Sequence, residues 1–126
     1  MGRIMIIDDS RLARTFSAAS LRKAGHDVLE VEPTSIFDVL KAVKETTPDL
    51  LIMDFIMPNC PGTSLARACH EDPGLQAMRM LVLTAHRDDE VTRRLQNLGV
   101  AEVLYKPLDS QTLTDAVARA LGADAP

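Results

Sequence analysis

Aromatic side chains are nearly absent from this sequence. Phe, Tyr and Trp make up 3% of its 126 residues, as three phenylalanines, one tyrosine and no tryptophan. A protein that stacks unpaired bases on aromatic platforms would have almost nothing to stack them on. A basic excess is missing as well. Lys+Arg number 14 against 18 Asp+Glu, a formal net charge of −4, which argues against direct nucleic-acid binding through the phosphate backbone. Cysteine is reduced to Cys60 and Cys69. They form neither a CxxC pair nor a disulfide framework, so two ordinary free thiols in a reducing, cytoplasmic compartment are expected. Long apolar runs are missing too, and nothing approaches the ~20 residues of a membrane span. The N-terminal run Ile4–Ile7 meets Asp8-Asp9, too short and too soon acidic for a secretory signal.

What is present is average in amount and ordered in pattern. Hydrophobic residues at 46% and charged residues at 25% are globular proportions, and a chain this long buries roughly two-thirds of its unfolded surface without a metal or disulfide staple. We expect one domain over residues 1–122 and a short tail over 123–126. Short apolar runs at Ile4–Ile7, Val28–Val31, Leu50–Met53, Met80–Leu83 and Val103–Tyr105 read as strands. Three of them, Ile4–Ile7, Leu50–Met53 and Met80–Leu83, are continuously apolar, as strands covered on both faces are. Glu30 interrupts the second run and marks it as an edge strand.

Helical periodicity fills the intervals. Leu12, Phe16 and Ala19 predict the inner face of a first helix; Ile36, Val39, Leu40 and Val43 that of a second. A weaker helix follows Gly62 around Thr63–His70. Val91, Leu95 and Leu98 define a fourth, with Asp88, Asp89 and Glu90 at its N-terminal end, and Leu113, Val117, Ala120 and Leu121 a fifth. Gly25, Gly99 and Gly122 stand where helices should stop. Five strands alternating with five helices, joined by right-handed crossovers, make a (βα)5 α/β domain with a doubly wound parallel sheet.

Ligands of such sheets sit beyond the carboxyl ends of the strands. Here those ends carry Asp8-Asp9, Asp54, Thr84 and Lys106-Pro107. Three converging carboxylates repel one another unless a cation joins them, and Mg²⁺, a hard ion that takes oxygen ligands, is the natural one. Lys106 offers a positive charge to an oxyanion and Thr84 a hydroxyl. A carboxylate nucleophile beside these groups suits phosphoryl transfer to Asp54. Each residue alone has an ordinary reading: Asp8-Asp9 as an acid pair ahead of a helix capped by Ser10, Asp54 as a loop acid, Thr84 as one more β-branched strand residue, Lys106 as a surface lysine. Their joint placement on one rim favours the site.

These residues carry a resemblance to response regulator receiver domains, of the CheY-like single-domain kind. The motifs are Ile6-Ile7-Asp8-Asp9-Ser10; Pro48 through Pro58 around Asp54, with Gly62; Leu83-Thr84-Ala85; and Gly99 through Pro107. The resemblance implies the flavodoxin-like strand order 2-1-3-4-5 and a phosphoacceptor at Asp54. It implies Mg²⁺ bound by Asp9, by Asp8 directly or through water, by Asp54 and by the backbone carbonyl of Ile56. Thr84 and Lys106 would engage the phosphoryl group, and the Lys106–Pro107 bond would be cis. It further implies a sensor histidine kinase or histidine phosphotransfer protein as donor. The fourth helix, fifth strand and fifth helix would then form the surface for a downstream protein target. On this reading the chain is not an enzyme beyond catalysing its own phosphorylation and dephosphorylation. A shuttle within a multistep relay, or a receiver cut from a larger regulator or hybrid kinase, would read the same.

The sequence also departs from the family pattern. Receivers usually carry Tyr or Phe three residues before the lysine, where Val103 stands here. Tyr105, on the same strand face, is either a substitute for that switch residue or a tyrosine packed on the neighbouring helix. The positions two after Asp54 and two after Thr84, which tune phosphoryl lifetime in the family, are Ile56 and His86. Apolar Ile56 cannot orient a hydrolytic water, so slow self-dephosphorylation is expected. His86, like His26 and His70, reads equally as an ordinary exposed histidine. Arg87, Arg93 and Arg94 offer an acidic partner a basic face or form a solvated one. A small aspartyl-phosphate hydrolase would want an acid where Ile56 stands. A flavodoxin-like cofactor binder would want a phosphate loop where Asp8-Asp9 stands. A degenerate receiver would have lost an acid, Thr84 or Lys106, and none is lost.

Overall fold

The computed structural model describes residues 2–122; the tail expected at 123–126 lies outside the described residues. The strands are β1 (Arg3–Ile7), β2 (Asp27–Val31), β3 (Leu50–Asp54), β4 (Arg79–Thr84) and β5 (Glu102–Tyr105). The helices are α1 (Arg11–Lys23), α2 (Ile36–Thr46), α3 (Gly62–Glu71), α4 (Asp89–Asn97) and α5 (Ser110–Ala120), with a 3-10 turn at Pro73–Leu75. The sheet is wholly parallel in the order β2-β1-β3-β4-β5, the fold expected. Among the described residues, strand β2 lies at an edge, paired only with β1.

The continuous apolar runs earn their places by burying both faces. Met5, Ile7, Leu51, Met53, Met80 and Val82 point to one side, against Val39 and Val43 of α2, Leu65 and Cys69 of α3 and Leu95 of α4. Ile4, Ile6, Leu50, Ile52, Leu81 and Leu83 point to the other, against Ala18 and Leu21 of α1 and Leu113, Ala116 and Val117 of α5. The period of two thus sorts one set of strands into two cores. Both cysteines are free and buried in the first core. Burial pushes the Cys69 thiol up to about 12, so it stays protonated at neutral pH.

Helix ends follow local chemistry. Ser10, Ser35, Asp88 and Asp109 accept backbone N–H groups of the first turns of α1, α2, α4 and α5, satisfying donors that would otherwise have no partner. Gly25, Gly99 and Gly122 all have positive φ, as their positions predicted. Helix α2 stops without glycine, at Thr47 with φ 44°.

The predicted inner face of α1 is wrong. Leu12 is 83% exposed and Phe16 48%, and Ala19 is exposed too. The buried side chains are Ser17, Ala18 and Leu21. Two small residues let α1 lie close to the sheet, and the bulky pair turns outward to line, with Pro107 and Leu108, an open apolar groove beside Lys106. Leu21→Ala should therefore cost about 2–5 kcal/mol, and Leu12→Ala no more than about 0.5 kcal/mol. Chemical denaturation of the two variants measures this, and equal losses would restore the predicted face.

Candidate functional site

In-register parallel pairing brings the carboxyl ends of β1, β3, β4 and β5 to one rim. Ile7 pairs with Met53, Asp54 with Leu83, and Thr84 with Tyr105. The polar residues that follow or end these strands consequently meet. One carboxylate oxygen from each of Asp8, Asp9 and Asp54 lies within 4.8 Å of the other two.

Each acid is held differently. Asp8, 2% exposed, uses three acceptors. Its Oδ1 takes the Ser10 N–H at 2.9 Å, its Oδ2 takes the Lys106 ammonium at 3.1 Å, and its carbonyl takes the Arg14 guanidinium. The acid pair thus lies outside α1, whose cap is Ser10 itself. Asp9 is exposed. Asp54, half-buried at the end of β3, accepts the Phe55 N–H at 3.0 Å on Oδ1 and has Lys106 Nζ at 3.3 Å on the same atom.

Lys106 is therefore shared by two carboxylates. Burial pulls its pKa down, but the bonds and charges of Asp8 and Asp54 together outweigh that and hold it above its ordinary value. Asp54 is pushed above the usual carboxylate range, first by burial and then by the negative charge of Asp8, with Lys106 opposing both. The rim is short of positive charge: three acids face one ammonium.

That deficit, together with all-oxygen donors, fits a hard divalent cation. The loop after β3 adds another donor. The carbonyls of Phe55 and Met57 accept the N–H groups of Gly62 and Cys60 at 3.0 and 3.3 Å. The Ile56 carbonyl between them accepts none among the described residues. Gly62 makes the loop possible, since a Cβ there would lie 2.9 Å from the Phe55 carbonyl oxygen. Ile56 points its side chain into solvent.

Thr84, 5% exposed, accepts the His86 N–H on its hydroxyl at 3.1 Å, and its carbonyl takes the Lys106 N–H at 2.8 Å. The Lys106–Pro107 bond is cis, as the resemblance implied. Val103 is buried in the core on the α4 side. Tyr105, on the same face and half-buried, places its hydroxyl 3.0 Å from Thr92 Oγ1 of α4, and the Arg87 guanidinium stacks over its ring at 4.1 Å. Arg87 is thus engaged within the domain, and Arg94 pairs with Glu90 at 3.6 Å; Arg93 is exposed. His86 is exposed, His26 accepts the Gly2 N–H at 3.1 Å, and His70 packs beside Gly99.

Sequence reasoning missed Arg14 altogether. Its signal was positional: six residues after Asp8 and in the first turns of a helix capped by Ser10, an arginine can reach back to the strand end. The Thr92–Tyr105 contact had no sequence signal, because it joins two elements whose packing angle the pattern does not specify.

The sequence profile of the response regulator receiver domain family matches residues 4–118. Protein PilH of Pseudomonas aeruginosa is 31% identical over 119 residues, covering 93% of this chain and 95% of PilH. The CAI-1 autoinducer sensor kinase/phosphatase CqsS of Vibrio cholerae is 28% identical over 92% of this chain, which spans only 17% of that protein. Among solved structures, a response regulator receiver domain protein from Clostridium thermocellum superposes with a TM-score of 0.85 at 25% identity, over 98% of this chain and 97% of the other. The chemotaxis response regulator CheY4 of Vibrio cholerae shares the fold, with a TM-score of 0.86 at 23% identity over 95% and 98% of the two chains. Among the described residues no helix is long and apolar enough to cross a membrane.

Crowded acids should make the metal-free rim a source of strain. A carboxyl whose pKa is raised by folding favours the folded state below its unfolded pKa, and that contribution is lost as pH rises through the folded value. Asp54→Asn should therefore raise the metal-free Tm at pH 7. The gain should shrink as pH falls through the raised pKa of Asp54, where protonation already neutralises the wild type. Thermal melts in chelator across pH 4–8 check this, and a lower Tm for the variant at pH 7 would refute it.

Proposed function

The chain belongs to the response regulator receiver domain family of two-component systems, and from that premise we propose that Asp54 accepts a phosphoryl group in an Mg²⁺-dependent transfer from a histidine kinase or phosphotransfer protein. The observation that carries this reading is the shared Lys106 ammonium, within 3.3 Å of both Asp8 and Asp54, on a rim that remains short of positive charge.

In the transfer, an Asp54 carboxylate oxygen forms the new bond to phosphorus as the bond from phosphorus to the donor's imidazole nitrogen breaks. The electron pair leaves with that nitrogen. Mg²⁺, held by Asp8, Asp9, Asp54 and the Ile56 carbonyl, would supply neutralisation of the phosphoryl oxygens. Lys106 is placed to move from Asp54 to a phosphoryl oxygen while keeping Asp8, so its charge is already partly desolvated and aimed when the transfer begins. The Thr84 hydroxyl, now occupied by the His86 N–H, can turn to donate to another oxygen, drawing the β4–α4 loop with it. Positioning and charge account for most of such a transfer. The chain thereby catalyses its own modification without acting on a separate substrate.

Loop movement would reach the α4–β5–α5 surface through Arg87 and Tyr105. Tyr105 packs on α4, the ordinary role of a half-buried tyrosine. It also touches the loop that Thr84 would move, so it couples the rim to the surface presented to a downstream protein, in place of Val103. The new state would be a minor conformation made dominant. At the site mouth, Ile56 offers no group to orient water and His86 is free to shield the phosphoryl group, so the modification should be long-lived.

Incubation with a small radiolabelled phosphodonor tests this. Wild type should take label only with Mg²⁺, Asp54→Ala should take none, and the label should decay over minutes or longer after a chase. Equal labelling of the two proteins would overturn the assignment, and decay within seconds would overturn the role given to Ile56. The Tyr105 ring resonances should shift when a beryllofluoride mimic is bound; an unchanged ring environment would leave Tyr105 a packing residue alone.

A further inference from the structure

Arg14 has no part in the transfer as described, yet its side chain is only 11% exposed and lies against the acid rim. A guanidinium is withdrawn from water only where it is well paired, and this one is held from two sides. It donates to the Asp8 carbonyl, and its Nε lies 3.7 Å from Glu30 Oε1 on β2. Glu30 is itself anchored, with Arg22 Nη1 at 3.2 Å and Thr15 Oγ1 at 3.5 Å, while Arg22 Nη2 donates to the Val28 carbonyl at 2.9 Å. A chain of contacts thus runs from the edge strand to the peptide that joins Asp8 to Asp9.

That peptide needs such a hold. The Asp8 carboxylate is placed by Ser10 and Lys106. The Asp9 carboxylate is exposed and makes no hydrogen bond or ion pair among the described residues, so only its backbone aims it.

We propose that Arg14 is a positioning residue: anchored by Glu30, its guanidinium fixes the plane of the Asp8–Asp9 peptide and so aims Asp9 at the cation the three acids hold. This rests on the Mg²⁺-dependent phosphoacceptor reading. Groups that orient metal ligands without touching the metal typically govern affinity about 10- to 100-fold. Charge alone acts with the opposite sign, since removing a positive charge from the rim should draw a divalent cation more tightly.

Calorimetric titration of the full chain with Mg²⁺ separates the two. Arg14→Gln should weaken Mg²⁺ about 10-fold. Arg14→Lys keeps the charge but cannot reach the carbonyl and Glu30 with one fork, so it should also weaken binding, by less. In the metal-free protein the backbone amides of Asp9 and Ser10 should exchange faster in both variants. Arg14→Lys with wild-type affinity, Arg14→Gln with tighter binding, or unchanged Asp9 and Ser10 amides would each overturn the role. Should Arg14→Gln not fold, Arg14→Lys decides. A wild-type chain that binds no Mg²⁺ overturns the phosphoacceptor reading instead, while altered Asp9 and Ser10 amides would still support the clamp.

Discussion

One ammonium group between two carboxylates organises this molecule. Lys106 Nζ sits 3.1 Å from Asp8 and 3.3 Å from Asp54, and without it two acids withdrawn from water would repel across a low-dielectric rim. The strand order is what makes the arrangement demanding. Asp8 follows β1 and Asp54 ends β3, which are neighbours, but Lys106 follows β5, beyond β4. At ~4.8 Å per strand the lysine must cross about 10 Å to reach the end of β3. A long, flexible stem with a compact charge at its end does this; the rigid fork of an arginine suits it less.

The incomplete charge balance has a chemical use. Asp54 is held above the usual carboxylate range by burial and by Asp8, while the Ile56 carbonyl stays without a partner among the described residues. On the proposed reading, a divalent cation would relieve the first and satisfy the second. The surrounding groups are each committed to a second element: Thr84 to the β4–α4 loop through His86, Tyr105 to α4 through Thr92, Asp8 to α1 through Arg14. A change of charge on Asp54 would therefore be felt along several elements at once.

Strands and rim were the most legible parts of the sequence. Runs such as Leu50–Met53 can be satisfied only by cover on both faces, and the polar residue that ends each run must then lie at a strand terminus. Asp8, Asp9, Asp54, Thr84 and Lys106 were readable for that reason. The inner face of α1 was not. Leu12 and Phe16 have helical spacing and high hydrophobicity, yet close approach to the sheet favoured Ser17 and Ala18, a preference set by the space between layers. Arg14 escaped because its partner is a backbone carbonyl, marked in the sequence only by the spacing from Asp8 to Arg14, and because Glu30 is distant in the chain.

By itself, then, the sequence determined the alternation of strands and helices, the two-sided burial of the sheet and the set of charged residues delivered to one end of it, since each follows from local periodicity and the residue that breaks it. Only the tertiary structure decided which acids share Lys106, which face of α1 is inside, what Tyr105 touches, and that Arg14 donates to the carbonyl between Asp8 and Asp9. Those outcomes depend on distances between elements far apart in the chain, and such distances are set by packing.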